Sequence, residues 1–292
     1  MATDQFSSTS IAALNLPALS QQIERLLVAR NLRGMQLLQQ QLRPAYVLRA
    51  ARLINQCRGT VLIGTGFPVL DTFETDGPVG AIALYQLLAQ LGARPVLVSG
   101  NPLCQVLASR YRTYQISVNQ QRHLPTIAEQ ALAKLQPQLI ISIERPGLTA
   151  NGRYANMRGE DITGRCASFD YFLNQAACPT IGIGDGGNEI GMGNMAAVLG
   201  QLNITPAVTE CDELVVADVS NWAAWGIIAM VSLLQGRDLL VGANPLAILQ
   251  FLSAHGSVDG VTRLNTLTED GLAHTGGEQL ITDLRRLIEK PN

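Results

Sequence analysis

The sequence predicts an α/β protein with a doubly wound, mostly parallel sheet and helices on both faces. From Thr60 onward, short stretches rich in Val and Ile alternate with helical stretches, an order typical of parallel strands joined by right-handed crossovers. The strand stretches are nearly continuous in hydrophobicity, as expected of strands covered on both faces. With 292 residues, 47% of them hydrophobic, the chain is long enough for one large α/β domain.

Two helical regions precede the first predicted strand. Apolar residues recur at helical spacing in residues 17–29 and again in residues 32–56. Pro44 lies inside the second region and is expected to kink or split it. Residues 1–16 are small and polar, so we expect a flexible tail there and a single domain over residues 17–292.

Strands and helices then alternate to the end of the chain. The predicted strands are residues 60–63, 95–99, 115–118, 139–143, 180–183 and 213–219. The predicted helices are residues 78–91, 102–111, 126–135, 168–175, 222–234, 245–254 and 278–288. The apolar run 222–234 is shorter than the ~20 residues of a membrane span, so we interpret it as a helix buried in the core or in a homo-oligomer interface.

Charge and cysteine content exclude several protein classes. A net charge of −2 offers no basic face for nucleic acid or anionic lipid. The N-terminus lacks the basic and apolar regions of a secretory signal. The histidines have no partner at zinc-like spacing. The cysteines are scattered and form no CxxC pair, which favours reduced thiols and a cytoplasmic location: Cys57, Cys104, Cys166, Cys178 and Cys211.

The most informative stretch is TIGIGDGGNEIGMG, residues 180–193. A β-branched strand runs directly into a glycine-rich turn that carries Asp185, Asn188 and Glu189. Glycine tolerates positive φ and close backbone approach, and ligands of α/β proteins bind at the carboxyl ends of strands. The alternative is a tight turn with a solvated aspartate and a capping asparagine. The coincidence of many glycines with three oxygen-bearing side chains favours a functional site.

Other predicted strands also end in acidic or amide side chains. Glu74 and Asp76 follow the first strand, Glu144 follows the fourth, and Asp218 to Asn221 follow the sixth. Because carboxyl ends of parallel strands share one edge, we expect one acid-lined cavity there. Asp76 serves equally well as an N-cap before Gly77-Pro78, whereas Glu74 has no such alternative.

A long polar loop, residues 144–165, connects two buried strands and carries four arginines. Loops of this length inside compact domains are usually functional or disordered, and arginine forks bind carboxylate or phosphate. The alternative is a solvated loop whose arginines pair with Glu160 and Asp161. We favour an active-site loop, because Glu144 directly follows a buried strand. The later turns 269–271 and 274–277 either close over the site or are surface turns.

Two nucleotide or phosphate motifs are incomplete. Gly64-Thr65-Gly66 is part of a dinucleotide fingerprint, but a full GxGxxG is absent, so no nucleotide cofactor is evident. GDGGNE, residues 184–189, resembles the magnesium-binding element of haloacid dehalogenase-type phosphatases. Those enzymes also need an aspartate nucleophile after an early strand, and no acid here fits that motif. A magnesium-dependent phosphatase is therefore an alternative of lower rank.

Five motifs occur in one order and spacing: GTGFP (64–68), ETDGP (74–78), ER (144–145), GRYAN (152–156) and GDGGNE (184–189). On these motifs the chain resembles the C-terminal domain of the D-glutamate cyclase family, formerly a domain of unknown function, from about residue 60 to the C-terminal helices. In that family, D-glutamate cyclase converts D-glutamate to 5-oxo-D-proline with loss of water. The resemblance implies a hydro-lyase of D-amino acid metabolism that acts on a small acidic metabolite.

The eukaryotic two-part members carry a separate hydro-lyase-type domain before this one, and no part of this chain resembles that half. The resemblance therefore leaves several alternatives open. In the first alternative the chain catalyses the reaction itself, in the second it acts on a related substrate, and in the third it needs a hydro-lyase-type partner protein. A non-catalytic module that binds an acidic metabolite is a further alternative.

On these residues we hypothesise a site for lactam closure. The candidate catalytic carboxylates are Glu74, Glu144 and Glu189. The candidate ligands of Mg²⁺ or Mn²⁺, chosen because such cations prefer hard oxygen donors, are Asp185, Asn188 and Glu189. The candidate substrate-binding residues are Gly66, Asp76, Arg145, Arg153, Tyr154, Asn156, Arg158 and Asn188. Among them, Arg145, Arg153 or Arg158 would hold the α-carboxylate.

Overall fold

A computed structural model describes residues 14–118 and 124–289 of the chain. Its strands are β1 (Thr60–Thr65), β2 (Pro68–Val69), β3 (Thr72–Phe73), β4 (Arg94–Ser99), β5 (Thr113–Gln115), β6 (Pro137–Ile143), β7 (Thr180–Gly184), β8 (Glu213–Val216), β9 (Thr268–Glu269) and β10 (Leu272–Ala273). Six of them form one parallel sheet in the order β5-β4-β1-β6-β7-β8. The pairs β2–β3 and β9–β10 are short antiparallel hairpins. The predicted fold class is confirmed.

Helices pack on both faces of this sheet. They are α1 (Leu16–Leu27), α2 (Met35–Gln41), α3 (Tyr46–Gln56), α4 (Pro78–Gln90), α5 (Leu103–Ala108), α6 (Leu124–Leu135), α7 (Asp170–Asn174), α8 (Ala196–Leu199), α9 (Ser220–Gln235), α10 (Pro245–Ser253) and α11 (Thr275–Glu289). Strand β1 shows the two-sided burial, because Val61 and Ile63 join the larger core and Leu62 joins the smaller one. No helix within residues 14–118 and 124–289 is long and apolar enough to cross a membrane.

The strand order positions the site. The chain lays down β1, β4 and β5 in one direction and then returns to add β6, β7 and β8 on the other side of β1. The order therefore reverses between β1 and β6, which pair in parallel with Ile63 opposite Ile141. In doubly wound sheets, ligands bind in the crevice outside the carboxyl ends of the strands at this reversal.

Several predicted boundaries need correction. Pro44 does separate two helices, α2 and α3, as expected. The strand predicted at 115–118 is wrong beyond Gln115, because its partner β4 ends at Ser99 and leaves no backbone to pair with. The strand predicted at 213–219 ends at Val216, where the chain turns toward α1. Of the predicted tail, residues 1–13 lie outside the described residues.

Gly80 lets α4 and α9 pack closely beneath the site. A Cβ at Gly80 would lie 2.6 Å from Cδ1 of Ile143 and 3.0 Å from Cβ of Ala224. We expect Gly80→Ala to lower the free energy of unfolding by about 1–2 kcal/mol, because overpacking outweighs the gain in helix propensity. Urea unfolding measures this change. Gly200→Ala is the control, because a Cβ at Gly200 would lie at ordinary contact distances and the residue has a helical φ of −60°. An equally large loss of stability in Gly200→Ala would contradict the packing explanation.

Candidate active site

A cavity of about 340 Å³ opens beside the reversal in strand order. Its acidic end is largely buried and is lined by Glu74, Glu144, Asp185 and Asp270, together with the half-buried Arg33. Its apolar wall contains Phe67, Pro68, Val69, Leu70, Met157 and Val261. Its basic rim carries Arg158, Arg165 and Arg263, together with Glu160, which pairs with Arg263 at 2.7 Å. The cavity therefore has opposite charges at its two ends, which suits a ligand that carries both a cationic and an anionic group.

Three buried carboxylates meet at the acidic end. Asp76 follows the β2–β3 hairpin, Glu144 follows β6 and Asp185 follows β7. One oxygen from each lies within 4.8 Å of the others. The structure thus brings carboxylates from separate strand ends into one cluster, which we call the acidic triad.

Asp76 and Asn221 cap each other's helices beside the triad. The carboxylate of Asp76 accepts hydrogen bonds from the backbone N–H groups of Ser220 (2.8 Å) and Asn221 (2.7 Å), at the start of α9. Oδ1 of Asn221 accepts from the backbone N–H groups of Gly77 (2.9 Å) and Gly80 (2.7 Å), at the start of α4. The positive ends of two helices therefore face the acidic triad and partly offset its charge.

Arg33 reaches the site from the connection between α1 and α2. Its Nη2 lies 2.6 Å from Oδ2 of Asp185 and 2.5 Å from Oδ2 of Asp270. The same nitrogen donates to the backbone oxygen of Asp218 (2.8 Å). The carboxylate of Asp218 in turn accepts from the backbone N–H of Arg30 (2.7 Å), which holds this connection at the edge of the sheet. One guanidinium thus bridges two carboxylates of the acidic end.

Burial dominates the protonation of these carboxyl groups. It raises the pKa values of Glu74, Glu144, Asp185 and Asp270 well above their ordinary values, and neighbouring carboxylates raise them further. Burial also raises the pKa of Asp76, to about 7, although hydrogen bonds oppose the change. Groups that gain and lose protons near neutrality are suited to acid–base catalysis.

Backbone strain coincides with two of these carboxylates. Glu144 and Asp270 have φ angles of 44° and 51°, in the left-handed region that non-glycine residues rarely adopt. Each such residue costs about 1–3 kcal/mol, and such residues cluster at functional sites. Gly77 has a φ of 90°, and a Cβ there would lie 2.6 Å from Cβ of Glu144. Glycine is therefore required beneath the strained glutamate.

Glu269, on the hairpin before Asp270, should make stability fall as pH rises. It is buried, accepts a hydrogen bond from Nδ2 of Asn221 (2.7 Å), and burial raises its pKa to about 7. Between pH 4.5 and 7 the unfolded chain loses this proton while the folded chain keeps it, so rising pH favours unfolding. We expect the free energy of unfolding to fall by on the order of 2 kcal/mol over this range through this group.

Glu269→Gln should make this slope shallower, because glutamine cannot titrate but can still accept the bond from Asn221. Urea unfolding at several pH values measures the slope. Glu129→Gln, on the exposed side of α6, is the matched control and should leave the slope as it is. Equal slopes in the wild type and in Glu269→Gln would contradict the assignment.

Three of the predicted substrate-binding residues line the cavity. Asn188 donates from Nδ2 to the backbone oxygen of Ala155 (3.0 Å), and its buried Oδ1 has no partner among the described residues. Asn156 donates to Oε2 of Glu160 (2.6 Å). Arg158 donates to the backbone oxygen of Val261 (2.9 Å) and so links the polar loop to the loop before β9.

The structure places three other predicted residues away from this cavity. The carboxylate of Glu189 turns back and accepts from the backbone N–H of Gly187 (2.7 Å), so it is not part of the acidic triad. Of the predicted metal ligands, the triad therefore contains Asp185 alone. Arg153 is exposed and pairs with Asp161 at 3.5 Å. Tyr154 is fully buried and donates to Oδ2 of Asp170 (2.6 Å).

Arg145 and Gly66 line a second, smaller cavity. The guanidinium of Arg145 donates to backbone oxygens of Thr65 (2.9 Å) and Ala167, which ties the end of β1 to the polar loop. Arg145 thus lies next to Glu144 in sequence but not in the same cavity. The sequence shows that Arg145 follows a predicted strand, but it does not show in which direction the side chain points.

Sequence reasoning did not select Arg33 or Asp270 as site residues. Arg33 is separated from Asp185 by 152 positions and lies in a helix connection with no motif. Asp270 lies in one of the turns that had two open interpretations, and the structure places it at the acidic end of the cavity. The sequence signal for Asp270 was the acidic pair Glu269-Asp270 before a glycine.

Comparisons with known proteins show what this chain is similar to. A family model described as D-glutamate cyclase-like, C-terminal, matches residues 23–285. Human mitochondrial D-glutamate cyclase is 29% identical over 218 residues, which cover 64% of this chain and 35% of that protein, so the chain spans about a third of this relative. An exopolyphosphatase-related protein from Bacteroides fragilis superimposes with a TM-score of 0.42 at 10% identity, covering 83% of this chain and 56% of that one, which is too loose to carry an argument.

Proposed function

The chain belongs to the D-glutamate cyclase-like, C-terminal family, and on that premise we propose that it is a lyase that interconverts D-glutamate and 5-oxo-D-proline. The observation that carries the proposal is the cavity with an acidic end and a basic rim at the reversal of the sheet. Glutamate has one ammonium group and two carboxylates, so it matches this distribution of charge.

The reaction needs a neutral amine next to the carbon of the side-chain carboxylate. We assign the amine and this carboxylate to the acidic end, where Arg33 offsets charge on the group under attack. The α-carboxylate, which takes no part in bond formation, would lie at the basic rim. Of the three arginines that the sequence suggested for this carboxylate, only Arg158 lines the cavity. Arg263, which was not among them, lies on the same rim.

Glu74 is the proposed acid–base residue. Its carboxylate lines the cavity, is only 6% exposed, and its pKa is raised by burial. Closure forms the C–N bond and breaks one C–O bond, and the two protons that leave nitrogen are the two that turn the departing oxygen into water. One carboxyl group that accepts each proton and returns it to oxygen therefore balances the reaction.

We propose Mg²⁺ or Mn²⁺ as the cofactor of the acidic triad. The three buried carboxylates, with oxygens within 4.8 Å of one another, are hard oxygen donors that fit these cations. Two of them, Glu144 and Asp185, line the cavity together with Asn188, whose Oδ1 has no partner among the described residues. When bound, the cation would act as a Lewis acid toward the carboxylate under attack. Ser220 donates from Oγ to Oε2 of Glu144 (2.6 Å) and Asp76 is fixed by α9, so both carboxylates are held in place.

The direct test is to incubate the purified chain with D- or L-glutamate, with Mn²⁺ or with EDTA, and to follow 5-oxoproline by mass spectrometry after chiral separation. We expect 5-oxo-D-proline from D-glutamate with Mn²⁺, and a loss of product with EDTA or in Asp185→Asn. The control Asp283→Asn, on the exposed side of α11, should retain activity.

Other outcomes would replace the proposal. Thermal stabilisation by D-glutamate without turnover by the chain alone would identify a binding module, or a domain that needs a hydro-lyase-type partner. Release of phosphate from phosphomonoesters with Mg²⁺, abolished in Asp185→Asn, would support the phosphatase alternative.

A further inference from the structure

Arg145 is a buried cation outside the acidic cavity. Its side chain is 3% exposed, and its guanidinium carbon lies 5.8 Å from the centre of the Phe169 ring. Nη1 donates to the backbone oxygens of Thr65 (2.9 Å) and Gly66 (3.4 Å), and Nη2 donates to that of Ala167. All these acceptors are neutral.

No carboxylate within the described residues pairs with this guanidinium, and its buried Nε has no partner there either. Burial lowers the pKa of Arg145; the carboxylate of Asp170 opposes this change, but it is already bonded to Tyr154 and Thr209. Arginine is almost never fully buried without a paired charge, because removing the charge from water is costly. Arg33, by contrast, has two carboxylate partners. Within the part of the chain that the structure describes, the positive charge of Arg145 therefore has no directly paired carboxylate.

A second cavity adjoins this cation. It has a volume of about 30 Å³, roughly twice what one water molecule needs, and Arg145 and Ser99 line it. Arg165 lines it too, and it also lines the acidic cavity. Arg165 is exposed and donates to the backbone oxygen of Leu70, so a second guanidinium with a neutral partner faces the same space.

We propose that this second cavity binds a small oxyanion, a carboxylate or a phosphate. Nε and Nη2 form the edge of a guanidinium that binds two oxygens of such a group. At Arg145, Nε has no partner among the described residues, and Nη2, which donates to Ala167, carries a second N–H. The bound anion would supply the missing counter-charge, and Arg165 would close the site from its exposed side. The site shares Arg165, Phe67 and Pro68 with the acidic cavity but none of its carboxylates, and its test does not require lyase activity.

Thermal unfolding of the full chain tests the proposal, with sodium phosphate and sodium acetate as probes against sodium chloride of equal ionic strength. We expect a saturable rise in melting temperature, and the stronger of the two probes identifies the class of anion. Arg165→Gln should weaken the apparent affinity at least fivefold. Arg153→Gln is the matched control, because it changes an exposed arginine of the same loop that lines neither cavity, and it should behave as wild type.

Two further measurements locate the anion. A crystal soaked in selenate should show an anomalous peak within hydrogen-bond distance of Nε of Arg145. Arg145→Lys keeps the charge and removes the two-donor edge, so a folded variant should bind the anion more weakly. If this variant does not fold, Arg165→Gln and the selenate crystal test the proposal without it. Three results would overturn the proposal. The first is that the anions stabilise wild type and Arg165→Gln equally, and the second is that Arg158→Gln weakens anion binding instead. The third is that selenate peaks appear only at other places in the crystal.

Discussion

Glu74→Gln is expected to lower kcat for formation of 5-oxo-D-proline by about 10²–10⁴-fold with little change in KM. Glutamine has the same shape but cannot exchange protons, so proton transfer from nitrogen to the departing oxygen is lost. No donor among the described residues bonds the carboxylate of Glu74, whereas its backbone N–H donates to the oxygen of Phe67 (3.1 Å). The substitution therefore removes the titrating group and leaves its position intact.

Stability should change in the opposite direction from activity. The pKa of Glu74 is raised by burial and by the nearby charges of Asp270 and Asp76, so its ionised form opposes folding at pH 8. The neutral glutamine removes this cost, and the melting temperature at pH 8 should equal or exceed that of wild type. Lower activity in a protein of equal or greater stability is the signature of a functional carboxylate rather than a structural one.

Initial rates by mass spectrometry across pH 5–9, with melting temperatures of the same samples, measure both effects. Glu129→Gln, at an exposed glutamate on α6, controls for the change of residue type. A kcat within threefold of wild type would remove Glu74 from the mechanism, whatever its stability. A variant that loses activity and also melts at a much lower temperature would contradict the position-preserving argument.

The convergence of strand-end carboxylates could be predicted because two local rules combine. Hydrophobic periodicity marks the strands, and parallel strands carry their carboxyl ends at one edge. Glu144 and Asp185 directly follow β6 and β7, and Glu74 follows the β2–β3 hairpin that comes after β1, so the rules bring them to the same cavity. Their surroundings also include distant contacts, since Asp185 pairs with Arg33 and the backbone at Glu74 bridges to that of Val258.

Arg33 and Arg145 show where this reasoning ends. Arg33 enters the site because Asp218, at the end of β8, binds the connection after α1, a contact between residues 188 positions apart. No periodicity within either segment encodes that pairing. Arg145 does follow a strand as expected, but its side chain turns to the backbone of Thr65 and Ala167. The direction in which a side chain points from the end of a strand depends on tertiary packing, which the local sequence pattern does not reveal.

Asp76 shows a third case, in which both interpretations of the sequence were incomplete. As an N-cap candidate it was expected to serve the helix that follows it, and Oδ1 does accept from the backbone N–H of Gly77 (2.9 Å). The same carboxylate also binds the first N–H groups of α9, which is 144 positions away, and belongs to the acidic triad. Capping and function are therefore combined in one side chain, and neither excludes the other.

Asn221→Ala is expected to lower the free energy of unfolding by about 3 kcal/mol, because several buried groups lose their partners together. Oδ1 of Asn221 accepts from Gly77 and Gly80, while Nδ2 donates to the backbone oxygen of Thr75 (3.2 Å) and to Glu269 (2.7 Å). Urea unfolding at pH 7 measures the loss. Asn244→Ala is the control, since Asn244 caps α10 through a single bond, worth about 1 kcal/mol.

Asn221→Asp separates the acceptor role from the donor role. The new carboxylate can still accept from Gly77 and Gly80, but it cannot donate to Glu269. Because the pKa of Glu269 is about 7, Glu269 is protonated at pH 5.5 and can donate to the new group, whereas at pH 8 two negative charges face each other. The loss of stability should therefore be clearly greater at pH 8 than at pH 5.5. A loss that does not depend on pH, or an Asn221→Ala variant no less stable than Asn244→Ala, would show that the two helix starts do not depend on this side chain.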